Sequence, residues 1–227
     1  MSVDISVIIP QFGRSDLTIR CVESLLRNHS KFISLELLVV DDGSLRSDLA
    51  EIQKNVFPRT SLVRNSNNLG VTASWNRGAS FANGKTLIFL NNDVIRHGPW
   101  CEILSTSLQN DQCLIAGPEL RTEQLIPSDF LSTFPDNQLL SGWCFAISKK
   151  HFHELNGFDE RYRLYYSDTD FQLQLAKHYQ FRRVIQAVSG LPITHLGHQT
   201  TTGLPTRSRQ WNCDREAFLQ KWKLRFQ

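Results

Sequence analysis

The run Leu87-Ile88-Phe89-Leu90 empties directly onto Asn91-Asn92-Asp93. Consecutive apolar residues of this size, preceded by Gly84-Lys85 and followed by polar residues, have the length and composition of a strand buried on both faces. The polar triplet is then a loop, and in open α/β sheets ligands sit in the crevice beyond the carboxyl ends of the strands. Asp93 would project a hard oxygen ligand into that crevice, suited to Mg²⁺ or Mn²⁺. Asn-Asn-Asp is equally ordinary turn chemistry, because these side chains bond nearby backbone and tolerate left-handed conformations.

The residues before it repeat the same arrangement. Ile5 to Pro10 is an apolar run closed by proline, followed by the loop Gln11-Phe12-Gly13-Arg14-Ser15. From Asp16 the spacing is helical, with Cys21, Val22, Leu25 and Leu26 on one face. Leu35 to Val40 forms a second strand that ends in Asp41-Asp42-Gly43-Ser44, residues that favour turns and helix caps. Thr60 to Val63 reads as a weaker third strand, and the polar turn Asn65 to Gly70 leads to a helix around Ser74 to Asn83. Strands alternating with helices argue for an α/β chain with a doubly wound, mostly parallel sheet flanked by helices.

The second half is less regular. Leu114 to Pro118 is expected to be a strand, and Thr122 to Gln138, broken at Pro127 and Pro135, an excursion from the sheet rather than a core element. Trp143 to Ile147 returns to the sheet, and Lys149 to Leu155 suits a short helix ending at Asn156-Gly157. A chain of 227 residues accommodates one large domain with a substantial core.

Composition removes several classes of function. With 41% hydrophobic and 21% charged residues the chain is neither disordered nor membrane-spanning, and a net charge of +3 does not imply nucleic-acid binding. Cys21, Cys101, Cys113, Cys144 and Cys213 are odd in number and contain no C-x-x-C pair, so neither a zinc site nor a disulfide framework is indicated and a reducing cytosol is expected. Met1 to Asp4 runs into the first strand without a basic, apolar leader, so secretion is not expected. No G-x-G-x-x-G follows the first strand, which argues against a dinucleotide-dependent oxidoreductase.

Three further groups could carry chemistry. Ser167-Asp168-Thr169-Asp170-Phe171 places two carboxylates at the start of an expected helix; Ser167 and Asp170 have the spacing of a capping box, and Phe171 to Leu175 also alternates like a strand. His195 and His198 are expected on a loop after the apolar stretch from Val188 to Ile193. At the carboxyl end, Phe218, Trp222 and Phe226 recur every four residues, flanked by Lys221, Lys223 and Arg225. That pattern is a helix with a buried aromatic stripe and solvated charges, which could also meet an anionic lipid surface.

Taken in order, Ser6-Val7-Ile8-Ile9-Pro10, Val39-Val40-Asp41-Asp42-Gly43-Ser44, Asn68-Leu69-Gly70 with Asn76 and Gly78, Phe89-Leu90-Asn91-Asn92-Asp93, and Asn156-Gly157-Phe158-Asp159-Glu160 followed by Tyr165-Tyr166-Ser167-Asp168-Thr169-Asp170 resemble the family 2 glycosyltransferases with the GT-A fold. The resemblance covers almost the whole chain and is nearest to the bacterial rhamnosyltransferase-like branch. It implies a single domain, with residues 1–98 binding a nucleotide-sugar, 99–206 serving acceptor and catalysis, and 207–227 forming a helical segment.

The same resemblance implies an inverting transfer from a UDP- or dTDP-sugar to a glycan or lipid-linked saccharide, assisted by Mn²⁺ or Mg²⁺; with the cysteine usage and the basic carboxyl end, the expectation is a cytoplasmic protein in peripheral contact with the inner face of the membrane. Asp168 would be the catalytic base. Pro10, Phe12, Arg14, Asn68, Gly70, Asn76, Asn91 and Asn92 would bind the donor, with Asp41 or Asp42 accepting from a pyrimidine N3–H. Asp93 and His195 would bind the metal and diphosphate. Two departures from the family pattern, Asn91 for the first Asp of D-x-D and Ser167 for the Glu of Glu-Asp-x-Asp, leave a non-catalytic sugar-nucleotide-binding or scaffold domain as the alternative.

Overall fold

The computed structural model describes residues 3–27, 33–109, 113–180, 184–197 and 207–224. His198, Arg225 and Phe226 lie outside the described residues. The first half runs β1 (Ile5–Gln11), α1 (Ser15–Leu26), β2 (Leu35–Asp41), α2 (Arg46–Val56), β3 (Ser61–Arg64), α3 (Val71–Phe81), β4 (Thr86–Leu90) and β5 (Val94–Arg96). It continues through α4 (Cys101–Ser107), β6 (Ile115–Gly117), β7 (Leu120–Thr122), β8 (Gln138–Leu140), β9 (Cys144–Ser148), α5 (Lys149–Glu154), α6 (Ser167–His178), β10 (Ile185–Ala187), β11 (Ile193–His195) and α7 (Arg207–Lys221).

The central sheet has the strand order β10-β6-β9-β4-β1-β2-β3, parallel except for β9, which runs against both β4 and β6. Every side chain of the opening run is buried, and the strand period of two divides them between the two layers. Leu87 and Phe89 join one core with Ile8, Leu38 and Val40. Ile88 and Leu90 join the other with Val7, Ile9, Leu37 and Val39. On the first face Phe89 meets Phe158 at 4.9 Å, Phe152 at 5.0 Å, Phe145 at 5.3 Å and Trp75 at 5.8 Å between ring centroids. Helix α3 closes on this face at Gly78, where an added Cβ would lie 2.3 Å from a methyl of Ile8.

Several expectations change. The excursion between β7 and β8 leaves the main sheet, but it buries Phe130 and Phe134 in the first core, and β7 pairs antiparallel with β8. The alternation Phe171 to Leu175 belongs to helix α6, which is buried on nearly all sides. Its polar Gln172 is tolerated because it exchanges hydrogen bonds with the Leu140 backbone, accepting from N at 2.8 Å and donating to O at 3.0 Å. The capping box does not form: the residue before α6 is Tyr166 in a left-handed conformation, φ 64°, and the Asp170 carboxylate points elsewhere. His195 stands on β11 rather than on a loop, paired across the antiparallel ladder with Val94 of β5.

Helix α7 carries the largest correction. Phe218 is fully buried as expected, but Lys221 is no solvated rim charge. Its ammonium lies 2.9 Å from Asp159 and 2.8 Å from Asp170, whose side chain is 0% exposed. Asp170 also accepts from Trp222 Nε1 at 2.9 Å and Gln174 Nε2 at 2.6 Å. Burial pushes the Asp170 carboxyl above its ordinary value, and the ammonium and indole donors oppose that rise. Lys223, by contrast, is exposed.

Breaking a buried ion pair by removing one partner costs about 3–5 kcal/mol, whereas an exposed charge away from such features is worth less than about 0.5 kcal/mol. Urea unfolding of Lys221→Glu is therefore expected to show a loss of about 3 kcal/mol or more, and of Lys223→Glu almost none. Equal effects would contradict the pairing of Lys221 with Asp159 and the buried Asp170.

Candidate functional site

A cavity of about 640 Å³ opens where strands of the central sheet end. From the first half of the chain it is lined by Pro10, Phe12, Asp42, Asn68, Gly70, Asn91, Asn92 and Asp93. The second half contributes Glu119, Arg121, Glu123, Gly142, Trp143, Arg163, Tyr165, Asp168, His195 and Trp211. Most residues singled out in the sequence thus meet around one space.

Asp42 follows β2 at the cavity edge. It accepts from Leu69 N at 2.9 Å, Gly70 N at 2.8 Å and Asn65 Nδ2 at 2.7 Å, so it fixes the turn before α3. A carboxylate has about four lone-pair sites, which leaves room for one further donor from the cavity. Asp41 is different. It is the last residue of β2, in register with Gln11 of β1 and Arg64 of β3, and that register turns it into the sheet interior. There it pairs with Arg64 Nη1 at 2.9 Å, and it is absent from the cavity wall.

Arg14 and Asn76 also stand outside the wall. Arg14 forms an exposed pair with Asp16 at 2.8 Å. The Asn76 amide accepts from Phe158 N and donates to Phe158 O, both at 2.9 Å, and so tethers the chain before α6 to α3.

Asp93, 3% exposed, precedes β5, and the pairing of β5 with β11 brings His195 against it. His195 Nε2 lies 3.1 Å from Asp93 Oδ1, and Leu196 N donates to Asp93 O at 2.9 Å. The Trp143 ring stacks on the imidazole, 4.8 Å between centroids and 11° from parallel, while its Nε1 donates to Glu119 at 2.6 Å. Asn92 Nδ2 donates to Thr18 Oγ1 at 2.9 Å, and Asn91 N to Trp143 O at 2.8 Å. Among the described residues no group of three or more His, Cys, Asp or Glu side chains could hold a metal ion. One carboxylate and one imidazole fit a divalent cation that takes its remaining ligands from a bound phosphate and water, the usual habit of Mg²⁺.

Asp168 sits in the first turn of α6. Arg121 Nη2 approaches its Oδ2 at 3.0 Å and also donates to Thr169 Oγ1 at 2.6 Å, while Nη1 meets Glu123 at 2.7 Å. The Asp168 charge, aided by Glu123, holds the Arg121 guanidinium above its ordinary value, so it stays cationic. Gly142 makes the space: a Cβ there would lie 2.4 Å from Asp168 Oδ2. The preceding loop is held from α7, where the buried Asp214 accepts from the backbone N–H groups of Arg163, Leu164 and Tyr165 at 3.1, 3.0 and 3.0 Å. Arg163 in turn donates to Asn68 O at 2.9 Å, joining the two halves of the wall.

Sequence reasoning missed Glu119, Arg121, Glu123, Gly142 and Asp214. Arg121 and Glu123 are two apart around β7, a spacing that puts strand residues on one face, and this was the available signal. Asp214 left none, since the loop that it holds lies some fifty residues away.

Residues 6–156 match the model of the glycosyl transferase family 2. Among curated proteins, the chain is 27% identical over 201 residues to the O-antigen biosynthesis protein RfbC of Myxococcus xanthus, covering 75% of this chain and 16% of that one. It is 26% identical over 199 residues to an uncharacterized glycosyltransferase of Haemophilus influenzae, covering 78% and 63%. The chain thus spans less than two thirds of either relative. Among solved structures, the mannosyltransferase PcManGT from Pyrobaculum calidifontis, in complex with GDP-Man and Mn²⁺, superposes with TM-score 0.70 at 15% identity over 100% of this chain and 66% of that one. S. aureus TarS gives 0.62 at 13% identity over 98% and 44%. These likenesses show a GT-A fold.

The Asp42 cradle makes its own prediction. An amide in place of this carboxylate presents one acceptor oxygen where three donors converge, and an unsatisfied buried group costs about 1–3 kcal/mol. Asp42→Asn is expected to lose that much stability in chemical denaturation. An unchanged midpoint would show that the turn before α3 does not depend on Asp42.

Proposed function

The chain belongs to the glycosyl transferase family 2, and from that membership we propose an inverting glycosyltransferase that moves a sugar from a UDP- or dTDP-sugar to a hydroxyl of a glycan or lipid-linked saccharide. The observation that carries this reading is the position of Asp168, which lines the same cavity as Asp93 and is held there by Arg121 and by the missing Cβ of Gly142.

An acceptor hydroxyl bonded to Asp168 gives up its proton to the carboxylate as its oxygen attacks the anomeric carbon of the donor. The attack comes from the face opposite the leaving diphosphate, so the configuration inverts. Arg121, 3.0 Å from the carboxylate, orients it for this step. On the other wall, Asp93 and His195 would hold Mn²⁺ or Mg²⁺ against the diphosphate, and the ion would supply charge stabilisation for the leaving group. Pro10 and Phe12 supply an apolar wall for the base, and the remaining acceptor site of Asp42 suits a pyrimidine N3–H, whereas Asp41 is paired with Arg64 away from the cavity wall. The similarity to an O-antigen biosynthesis protein supports a role in bacterial surface polysaccharide synthesis.

The cysteines of the described residues are all free thiols, which supports a cytoplasmic location. Among the described residues no helix is long and apolar enough to cross a membrane. The membrane contact proposed for the carboxyl end loses Lys221, which is committed to Asp159 and Asp170.

Asp168→Asn keeps size and polarity without accepting a proton, so it should lower transfer by about 10²- to 10⁴-fold while donor affinity, read by calorimetry, stays put. Gly142→Ala should do the same by displacing the carboxylate. Near-normal transfer by Asp168→Asn would remove it as the base. In a donor panel, UDP- and dTDP-sugars should bind at least about tenfold more tightly than GDP-sugars, and Asp93→Ala should abolish any enhancement by Mn²⁺. Equal binding of GDP-sugars would overturn the role of Asp42, and an undiminished Mn²⁺ response the role of Asp93.

A further inference from the structure

Next to the main cavity lies a second space of about 370 Å³, lined by Tyr165, Arg207, Ser208, Trp211 and Asn212. Tyr165 and Trp211 belong to the walls of both, so the two spaces adjoin between a phenol and an indole. Tyr165 is half-buried with one side against the first core, but the Trp211 ring is not placed there to fill the core. Phe218, on the same helix, is fully buried, whereas Trp211 is 42% exposed.

Both rings are nonetheless held in position. Asp214 accepts from Tyr165 N at 3.0 Å, and Arg207 Nε meets the Tyr165 hydroxyl at 3.3 Å. The Arg215 guanidinium lies 5.5 Å from the Trp211 ring centroid. A preorganised, solvent-facing aromatic surface with polar groups around it is a binding surface rather than a packing one.

Resting on the glycosyltransferase reading, we propose that this second space is an acceptor subsite for the sugar ring next to the one that reacts, so that the preferred acceptor is at least a disaccharide. The location supports the acceptor side. Among the described residues the lining comes from Tyr165, in the loop before Asp168, and from the first turns of α7, with none from the loops that surround Pro10, Phe12 and Asp42. The chemistry supports a pyranose. Its C–H face is apolar and packs on an indole, and its ring hydroxyls meet the donors and acceptors of Arg207, Ser208 and Asn212 around the edge.

The test compares glycosides of one terminal sugar that differ only in length. Release of nucleoside diphosphate from UDP-glucose, dTDP-rhamnose and GDP-mannose first identifies a donor that the full chain uses. Transfer from that donor to a panel of p-nitrophenyl mono- and disaccharides is then followed by mass spectrometry. The wild type should favour disaccharides by about tenfold or more in kcat/KM, through KM. Trp211→Ala should bring the ratio near one, Trp211→Phe should keep part of it, and Ser208→Trp, which fills the space, should abolish it. The ratio is insensitive to a general loss of folded enzyme. A wild-type ratio near one, a ratio that survives in Trp211→Ala, or donor turnover with no saccharide accepted would each overturn the subsite while leaving donor use intact. Absence of turnover with every donor would instead overturn the glycosyltransferase reading and the subsite with it.

Discussion

A carboxylate buried without partners destabilises a protein by several kcal/mol, and three buried aspartates in this chain depend on partners distant in sequence. Asp42 is satisfied by the turn before α3, Asp214 by the loop before α6, and Asp170 by the far end of α7. Each contact joins a cavity-lining segment to the body of the fold. The shape of the cavity is therefore imposed by the need to keep these charges hydrogen-bonded.

Helix α7 illustrates the consequence. Phe218 supplies apolar docking, but the register of the helix is set by Asp214 at its middle and Lys221 at its end. Only that register meets the backbone N–H groups of Arg163 to Tyr165 and the Asp170 carboxylate together. The loop so held leads directly into Asp168, whose direction is completed by Arg121 from β7 and by the space over Gly142. A reactive group on a loop edge thus acquires the fixed geometry that a helix or strand would provide.

What could be read from the sequence was whatever local period encodes. The run Leu87 to Leu90, the strands before it and the polar ends of those strands all appear where alternation and turn chemistry place them. Asp93 and Asp168 were found as carboxylates at element boundaries. What could not be read were relations across the chain. Lys221 resembles a surface lysine on any helical wheel, since the wheel shows a face but not what covers it. Asp41 and Asp42 look equivalent as neighbours in a turn, and only the pairing of β2 with β3 turns one into the sheet and the other toward the cavity. Likewise, His195 reaches Asp93 because β11 pairs with β5, a contact between residues about a hundred positions apart that no periodicity announces.

The central claim is that one carboxylate, Asp168, deprotonates an acceptor that displaces the diphosphate directly. Proton NMR of the product, using a donor of defined anomeric configuration, tests this without assuming which metal is present. Direct displacement predicts that the transferred sugar has the opposite anomeric configuration to the donor. A product that retains the donor configuration would contradict a single displacement with Asp168 as its base.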